Sequence, residues 1–256
     1  MCLITFAWKA HPRYKLVFIS NRDEFYQRPT LPLQRWQQQP HIFSGIDQKG
    51  GGTWLGLTEK GRFAALTNYR DPKNINENAP SRGFLTTDFL SSATDPLPYL
   101  EQIKAENKPY NGFNLLVGKM QDEQLYYYSN YAETIQTLEA GIYGLSNHLL
   151  NTSWFKVRTL KEGFQNILAN EEQLDVGIFF DLLHNTTPAP ENELQQTGLS
   201  TEMETMLSPI FIKSPHYGSC ASSVILLDYK GHITFAEKNY NTPDQKNVIQ
   251  LFRFKL

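Results

Sequence analysis

The stretch Cys2–Trp8, C-L-I-T-F-A-W, and residues 15–30, K-L-V-F-I-S-N-R-D-E-F-Y-Q-R-P-T, decide how this chain is read. Residues 2–8 and 15–20 are rich in β-branched and aromatic side chains and read as two strands. Between them lies K-A-H-P-R-Y, in which Pro12 suits a turn. An antiparallel hairpin centred on that loop sets Cys2 opposite Asn21. It brings Asn21, Arg22 and Asp23 to the side of residue 2. One residue of slip would exchange the side chains that face it.

Cys2 follows Met1 directly, and a small second residue is what methionine removal requires. The processed chain then begins with a cysteine that carries both a thiol and an α-amine. A thiolate is a strong nucleophile, and an α-amine of pKa about 8 can serve as its base. The alternative role for Cys2 is that of a small buried apolar residue.

Working outward, residues 53–57 and Arg62–Asn68 read as a second hairpin, turning at residues 59–61. Gly50, Gly51 and Gly52 precede it without a following Gly-Lys-Ser/Thr, so they predict a loop or a close backbone approach, not a phosphate cradle. Ser81 is the expected cap of a helix to Ser91, with Leu85, Phe89 and Leu90 on one side. A second helix is expected over residues 99–106. Strands follow at 112–118, 123–129 and up to Asn147, with Tyr126, Tyr127 and Tyr128 alternating along the second of them. Helices are expected at 154–168 and 173–183. Residues 185–200 read as a surface loop, and strands return at 222–228, 232–237 and 248–254. Hairpins at both ends with helices between predict one α+β domain over residues 1–256, with antiparallel sheets and helices on their outer faces.

The bulk properties narrow the class. With 256 residues the chain can bury a large core without staples. A formal net charge of −2 predicts no nucleic-acid footprint. Two cysteines make no disulfide framework, so a reducing, cytoplasmic setting is expected. No apolar run approaches the roughly 20 residues of a membrane span, and the apolar start lacks the basic region of a signal peptide. Oligomeric state leaves no mark in the sequence.

Acyl transfer needs a nucleophile, a base and donors for an oxyanion. Cys2 starts a strand, and Arg22 and Asp23 end its partner. Asn68 ends a strand in A-A-L-T-N-Y-R, and Asn147 ends one in G-L-S-N-H. Asparagine amides are suitable donors, and an arginine can hold a thiolate or a carboxylate. Asp23 beside an α-ammonium would favour the charged amine. The histidines at 11, 41, 148, 184, 216 and 232 lack zinc spacing, so no metal is predicted. His148, next to Asn147, is the one closest to the expected pocket. Trp36, Trp54 and Trp154 are expected to fill the core or line an apolar pocket.

M-C-L-I-T-F at the start and N-R-D-E-F-Y-Q-R-P-T at 21–30 resemble the NRDE family, which is also the transport-and-Golgi-organisation 2 group. The resemblance continues through G-G-T-W-L-G-L at 51–57, A-A-L-T-N-Y-R at 64–70, S-R-G-F-L at 81–85, G-F-N-L-L at 112–116 and G-L-S-N at 144–147. It runs in order along the whole chain. It implies an Ntn (N-terminal-nucleophile) hydrolase-like fold, a four-layer αββα sandwich of two antiparallel sheets flanked by helices. That fold is similar to the choloylglycine hydrolase and penicillin V acylase branch, in which a cysteine exposed by processing attacks an amide. By this similarity Cys2 is the nucleophile, Arg22 and Asp23 hold the thiol and the α-amine, and Asn68 and Asn147 stand on the oxyanion side. The acylases space their Arg and Asp more widely than the adjacent pair here.

One departure concerns residues 217–220, Y-G-S-C, where the family usually reads Tyr-Gly-Thr-Arg. Cys220 takes the arginine position and removes a partner for a thiolate. Cys2 and Cys220 are then expected to approach one another, as a reversible disulfide or a soft-metal pair. An inert core cysteine is the alternative for Cys220. Asn21, Glu24, Trp54, Tyr69, His148 and Cys220 are the expected binding residues.

The resemblance implies an amidohydrolase or acyltransferase acting on a small amide or acyl substrate, with no required cofactor. It also implies two alternatives. One is a non-catalytic carrier of haem or lipid, with Cys2 or His148 as axial ligand. The other is a role in Golgi organisation and secretion.

Overall fold

Alternation along β1 (Cys2–Trp8) and β2 (Tyr14–Phe25) sorts the molecule into layers. Cys2, Ile4, Phe6, Trp8, Leu16 and Phe18 enter one buried cluster, and Leu3, Ala7, Val17 and Ile19 enter another. This is the two-residue period of strands covered on both faces. The computed structural model describes residues 2–132, 134–240 and 248–256.

A seven-stranded sheet contains, in spatial as in chain order, β3 (Thr30–Arg35), β4 (Ile42–Asp47), β5 (Leu55–Thr58), β6 (Arg62–Asn68), β7 (Phe113–Lys119), β8 (Gln124–Ser129) and β9 (Ile135–Thr137). The other sheet adds β10 (Gly141–Leu145), β11 (Tyr217–Asp228), β12 (His232–Asn239) and β13 (Val248–Lys255). Its six strands run in the order β10-β1-β2-β11-β12-β13. Neighbours in both sheets are antiparallel.

The sheets stack face to face. Ile4, Phe6, Phe18 and Phe235 of one meet Phe43, Leu57, Phe63 and Leu116 of the other, and Phe18 meets Phe63 edge-on at 5.3 Å. Each large apolar side chain buried in this way contributes roughly 1.5–3 kcal/mol. Helices α1 (Gly83–Ser91) and α2 (Pro96–Glu106) cover the outside of the seven-stranded sheet, where Leu85, Phe89 and Leu100 press on Ala64, Leu115 and Val117. Helices α3 (Phe155–Asn170) and α4 (Val176–Leu183) cover the six-stranded sheet, where Leu160, Phe164 and Phe179 press on Leu3, Val17 and Val224. The short α5 (Thr201–Met206) follows the 185–200 loop. The result is the expected α+β arrangement, two antiparallel sheets between helical layers.

The register of the first hairpin differs by one residue from the expectation. Cys2 pairs with Arg22, and Asn21 pairs with Leu3. The loop over residues 9–13 sets the shift. Lys9 takes a left-handed φ of 48° and its N–H donates to the Lys15 carbonyl at 2.8 Å, while the Arg13 and Tyr14 N–H groups donate to His11 Nδ1. That closure places Pro12 at the centre. Because cross-strand partners share a face, Cys2 and Arg22 both turn toward the space between the sheets. Asn21 turns to the helical side, where its Nδ2 donates to the carbonyls of Leu183 and Ile210 at 2.8 Å.

Two further differences bear on the site. Strand β3 was not expected, because Pro32 interrupts its pattern; a bulge between Leu31 and Gln34 absorbs the proline and leaves the Leu33 N–H to donate to Glu237 Oε1 across the sheets. Ser81 does not cap α1 with its side chain. Arg82 holds the cap position, and Ser81 offers only its carbonyl to the Phe84 N–H. The glycine-run loop lies directly against this turn: a Cβ on Gly52 would sit 2.5 Å from the Gly83 carbonyl carbon.

Candidate active site

The start of β1, the end of β2, the glycine-run loop and the first turn of α1 enclose a pocket of about 490 Å³. Cys2, Arg22, Asp23, Glu24, Trp54 and Asn68 all line it. Cys2 is 7% exposed. Burial raises its thiol pKa above the ordinary value, the Asp23 carboxylate adds to that, and Arg22 acts in the opposite sense.

Arg22 lies with its guanidinium over the Trp54 ring, 4.3 Å from the centroid. Its Nη2 stands 3.9 Å from Glu24 and 4.0 Å from Asp47, beyond hydrogen-bond length. Arg28 engages Asp47 instead, through Nε at 2.8 Å and Nη2 at 2.7 Å. Burial alone would raise the Asp47 pKa; the bonds from Arg28 and the Gly50 N–H reverse that and hold it below the ordinary value. Arg82 donates to the Gly112 carbonyl at 2.7 Å and completes the cationic wall with Lys49.

Asp23 sits at a second bulge. Ser219 pairs with Asp23 and Ala221 with Arg22, so Cys220 is the extra residue of β11. The Ser219 hydroxyl donates to Asp23 Oδ1 at 2.6 Å. Burial raises the Asp23 pKa, against the pull of Lys156.

Asn68 and Asn147 are joined but not equivalent. Asn147 Nδ2 donates to the Asn68 carbonyl at 3.0 Å, and the Asn147 carbonyl accepts from the Arg70 N–H at 2.7 Å. Asn147 is fully buried and is not part of the pocket lining. Its neighbour Ser146 donates to the Cys2 carbonyl at 3.4 Å.

The remaining expected binding residues lie elsewhere. Tyr69 stacks on Tyr131 at 3.9 Å and approaches His148 at 4.9 Å. His148 shares a hydrogen bond with Thr152 at 2.9 Å, and burial lowers its pKa. Asn21 is buried on the helical side. Cys220 lines an adjoining cleft of about 250 Å³ that shares Arg22, Arg28 and Trp54 with the main pocket. Its thiol points to the Glu24 and Gly218 carbonyls, and burial pushes its pKa up to about 11. Cys2 and Cys220 are both free thiols, so the expected disulfide is not formed. Met1, whose removal the sequence suggests, lies outside the described residues.

Among the described residues no group of three His, Cys, Asp or Glu side chains is placed to hold a metal ion. Haem does not fit the donor set well: His148 stands outside the pocket, and the wall beside Cys2 carries Arg22, Arg28, Arg82, Glu24 and Asp47 in place of an apolar slot.

Arg28, Asp47, Arg82 and Lys156 were not among the expected site residues. Arg28 and Arg82 belong to the Q-R-P-T and S-R-G-F blocks quoted above, and that membership was their available signal. Asp47 and Lys156 carried none.

A family model described as Transport and Golgi organisation 2 matches residues 1–242. The chain belongs to this family. It is 36% identical over 257 residues to the Transport and Golgi organization protein 2 homolog of Bos taurus, with 93% of each chain covered. Among solved structures the chain is similar to the N-acylethanolamine-hydrolyzing acid amidase ortholog of Caenorhabditis elegans, with a TM-score of 0.51 and 12% identity over 88% of this chain and 92% of the other. It is also similar to a mutant conjugated bile acid hydrolase of Clostridium perfringens, with a TM-score of 0.51 and 11% identity over 99% of this chain and 92% of the other. At those identities the likeness is one of fold, and the fold is Ntn hydrolase-like. Among the described residues of this family member, no helix is long and apolar enough to cross a membrane.

Proposed function

We propose that the chain is an N-terminal-cysteine amidohydrolase or acyltransferase for a small amide or acyl substrate. One observation carries the reading: Cys2 and Arg22 are cross-strand partners at the wall of a polar pocket between the sheets. Removal of Met1 would free the Cys2 α-amine. That amine, of pKa about 8, accepts the thiol proton. The thiolate attacks the substrate carbonyl carbon, and the developing oxyanion is met by N–H donors, for which the Asn68 amide is the pocket-lining choice. The C–N bond breaks, and the departing amine takes the proton from the α-ammonium. The thioester left on Cys2 is then cleaved by water, which gives one proton back to the α-amine and regenerates the thiol as the acid leaves. With an amine in place of water, the same step is acyl transfer.

Arg22 supports the thiolate electrostatically, and Asp23 supports the ammonium. The charged wall suits a substrate with polar groups near the scissile bond. The test pairs intact-mass measurement with a screen of N-acyl amines and N-acyl amino acids. Protein that turns over substrate is expected to lack Met1, and Cys2→Ser is expected to lower turnover by orders of magnitude while the fold is kept. Turnover unchanged in Cys2→Ser, or active protein that retains Met1, overturns the reading.

A further inference from the structure

The connection from β6 to α1, residues 69–82, contains no helix or strand. A connection of that length without structure of its own is uncommon in a compact domain, and those that occur often serve as lids or binding loops. Its middle, residues 72–80, reads P-K-N-I-N-E-N-A-P, polar and closed by a proline at each end. Residues 73–78 are all exposed, and Ile75, the large apolar side chain among them, is 65% exposed. No core contact holds this stretch down.

The same stretch forms part of the Cys2 pocket. Glu77, Ala79 and Pro80 line it together with Cys2 and Asn111. Both ends are tied. Asp71 accepts from the Tyr131 hydroxyl, and Arg82 donates to the Gly112 carbonyl at 2.7 Å. Between these ties, among the described residues, one clasp is the only hydrogen-bonded or ion-paired link from residues 72–80 to the rest of the molecule. The Asn76 N–H donates to Asn111 Oδ1 at 2.8 Å, and Asn111 Nδ2 donates to the Asn76 carbonyl at 2.9 Å. Asn111 stands two residues before β7, so the clasp closes onto the seven-stranded sheet. Both bonds are exposed to water, which competes for the same groups. Segments held in this way open locally well before the fold does.

We propose that residues 72–80 are a lid on the Cys2 pocket, shut by the Asn76–Asn111 clasp and hinged at Asp71 and Arg82. Closed, the lid walls the thiol off from bulk water. Released, it opens a way in for a ligand. Asn111 makes both bonds through its side chain, whereas Asn76 uses only its backbone, so Asn111 sets the balance between the two states. The inference goes beyond the hydrolase reading, because it concerns access to Cys2 and not what becomes of a ligand there.

The experiment is alkylation of the full chain with iodoacetamide near neutral pH, with Cys2 and Cys220 followed separately by peptide mass mapping. Cys220 is the internal reference, because the cleft it lines includes no residue of the lid. In Asn111→Ala the Cys2 rate is expected to rise about tenfold relative to the Cys220 rate, the scale of two exposed hydrogen bonds lost from the closed state. Asn111→Asp keeps the acceptor for the Asn76 N–H and loses the donor, and is expected to fall between. An unchanged ratio of the two rates overturns the proposal, including the case in which general loosening speeds both thiols alike. If Asn111→Ala does not fold, hydrogen exchange of the parent protein decides. The Asn76 amide is expected to exchange through a local opening that low denaturant leaves unchanged, and exchange only through global unfolding overturns the proposal. Neither readout needs a substrate, so both stay distinct from the fate of the hydrolase reading, which is judged on Cys2→Ser.

Discussion

Cys2 and Arg22 stand opposite each other on antiparallel strands, so both side chains leave the same face of the six-stranded sheet. Arg22 is only 6% exposed, and its guanidinium is steadied by the Trp54 ring at 4.3 Å instead of by a direct hydrogen bond to an acid. Stacking fixes the charge in place without engaging its donors. The charge therefore remains available to whatever negative group forms at Cys2.

The first prediction follows from that arrangement. Arg22→Gln removes the cation, and Arg22→Lys keeps a cation but loses the planar stack. Alkylation of Cys2 at neutral pH, located by peptide mass mapping, is expected to slow about tenfold in Arg22→Gln, the effect of a one-unit change in thiol pKa. Arg22→Lys is expected to fall between that variant and the parent. An unchanged rate in Arg22→Gln would mean that the guanidinium does not act on the thiol.

A second prediction concerns acid. The Asp47 pKa is held below its ordinary value by Arg28 and by the Gly50 N–H, against burial. A carboxyl with a depressed folded-state pKa stabilises the fold above its unfolded value, and that contribution is lost as pH falls through the folded value. Asp47→Asn is expected to cost about 1–2 kcal/mol near pH 7, the scale of hydrogen bonds to a charged group reduced by solvent screening at a half-exposed site. The difference between parent and variant should begin to shrink below about pH 4, the unfolded value, and vanish as pH falls through the lower folded-state value. Denaturant melts across that range measure it. A cost that stays constant into acid would assign the loss to packing.

The strands were legible in the sequence because strands covered on both faces read as short, nearly continuous apolar runs, and β1 and β6 begin and end where those runs were expected. The face on which Asn21 lies was not. Its assignment depends on a single step of register, and the register depends on the left-handed Lys9 and the His11 side chain in the hairpin loop. Cys2, Arg22 and Asp23 were found together because the hairpin brings them to one end under either register. Asp47 was missed since it ends β4, whose sequence I-F-S-G-I-D is too short to show a period. Lys156 was missed for a different reason. On a helix of mixed polarity a lysine reads as solvent-facing, and only the packed fold shows it buried with its ammonium on the Leu207 carbonyl.

The last prediction tests how the pocket wall is held. Gly52 lies so close to the start of α1 that a Cβ there would meet the Gly83 carbonyl carbon at 2.5 Å and its oxygen at 2.6 Å. Both contacts are backbone, which cannot swing aside as a long side chain can. Thr53 and Gly83 are also linked, by an N–H to carbonyl bond of 3.4 Å. Gly52→Ala must therefore push the loop and the helix apart, and overpacking of this kind costs about 1–3 kcal/mol. The displaced turn carries Ser81, Arg82 and Gly83, all of which line the pocket. Gly52→Ala is thus expected to lower the melting temperature and, in the same protein, to change the alkylation rate of Cys2. Gly61→Ala supplies the contrast: it strains a left-handed turn with φ of 70°, outside the pocket lining, and is expected to lower stability with little effect on the thiol. Equal thiol effects from the two variants would show that the Gly52–Gly83 contact does not shape the site.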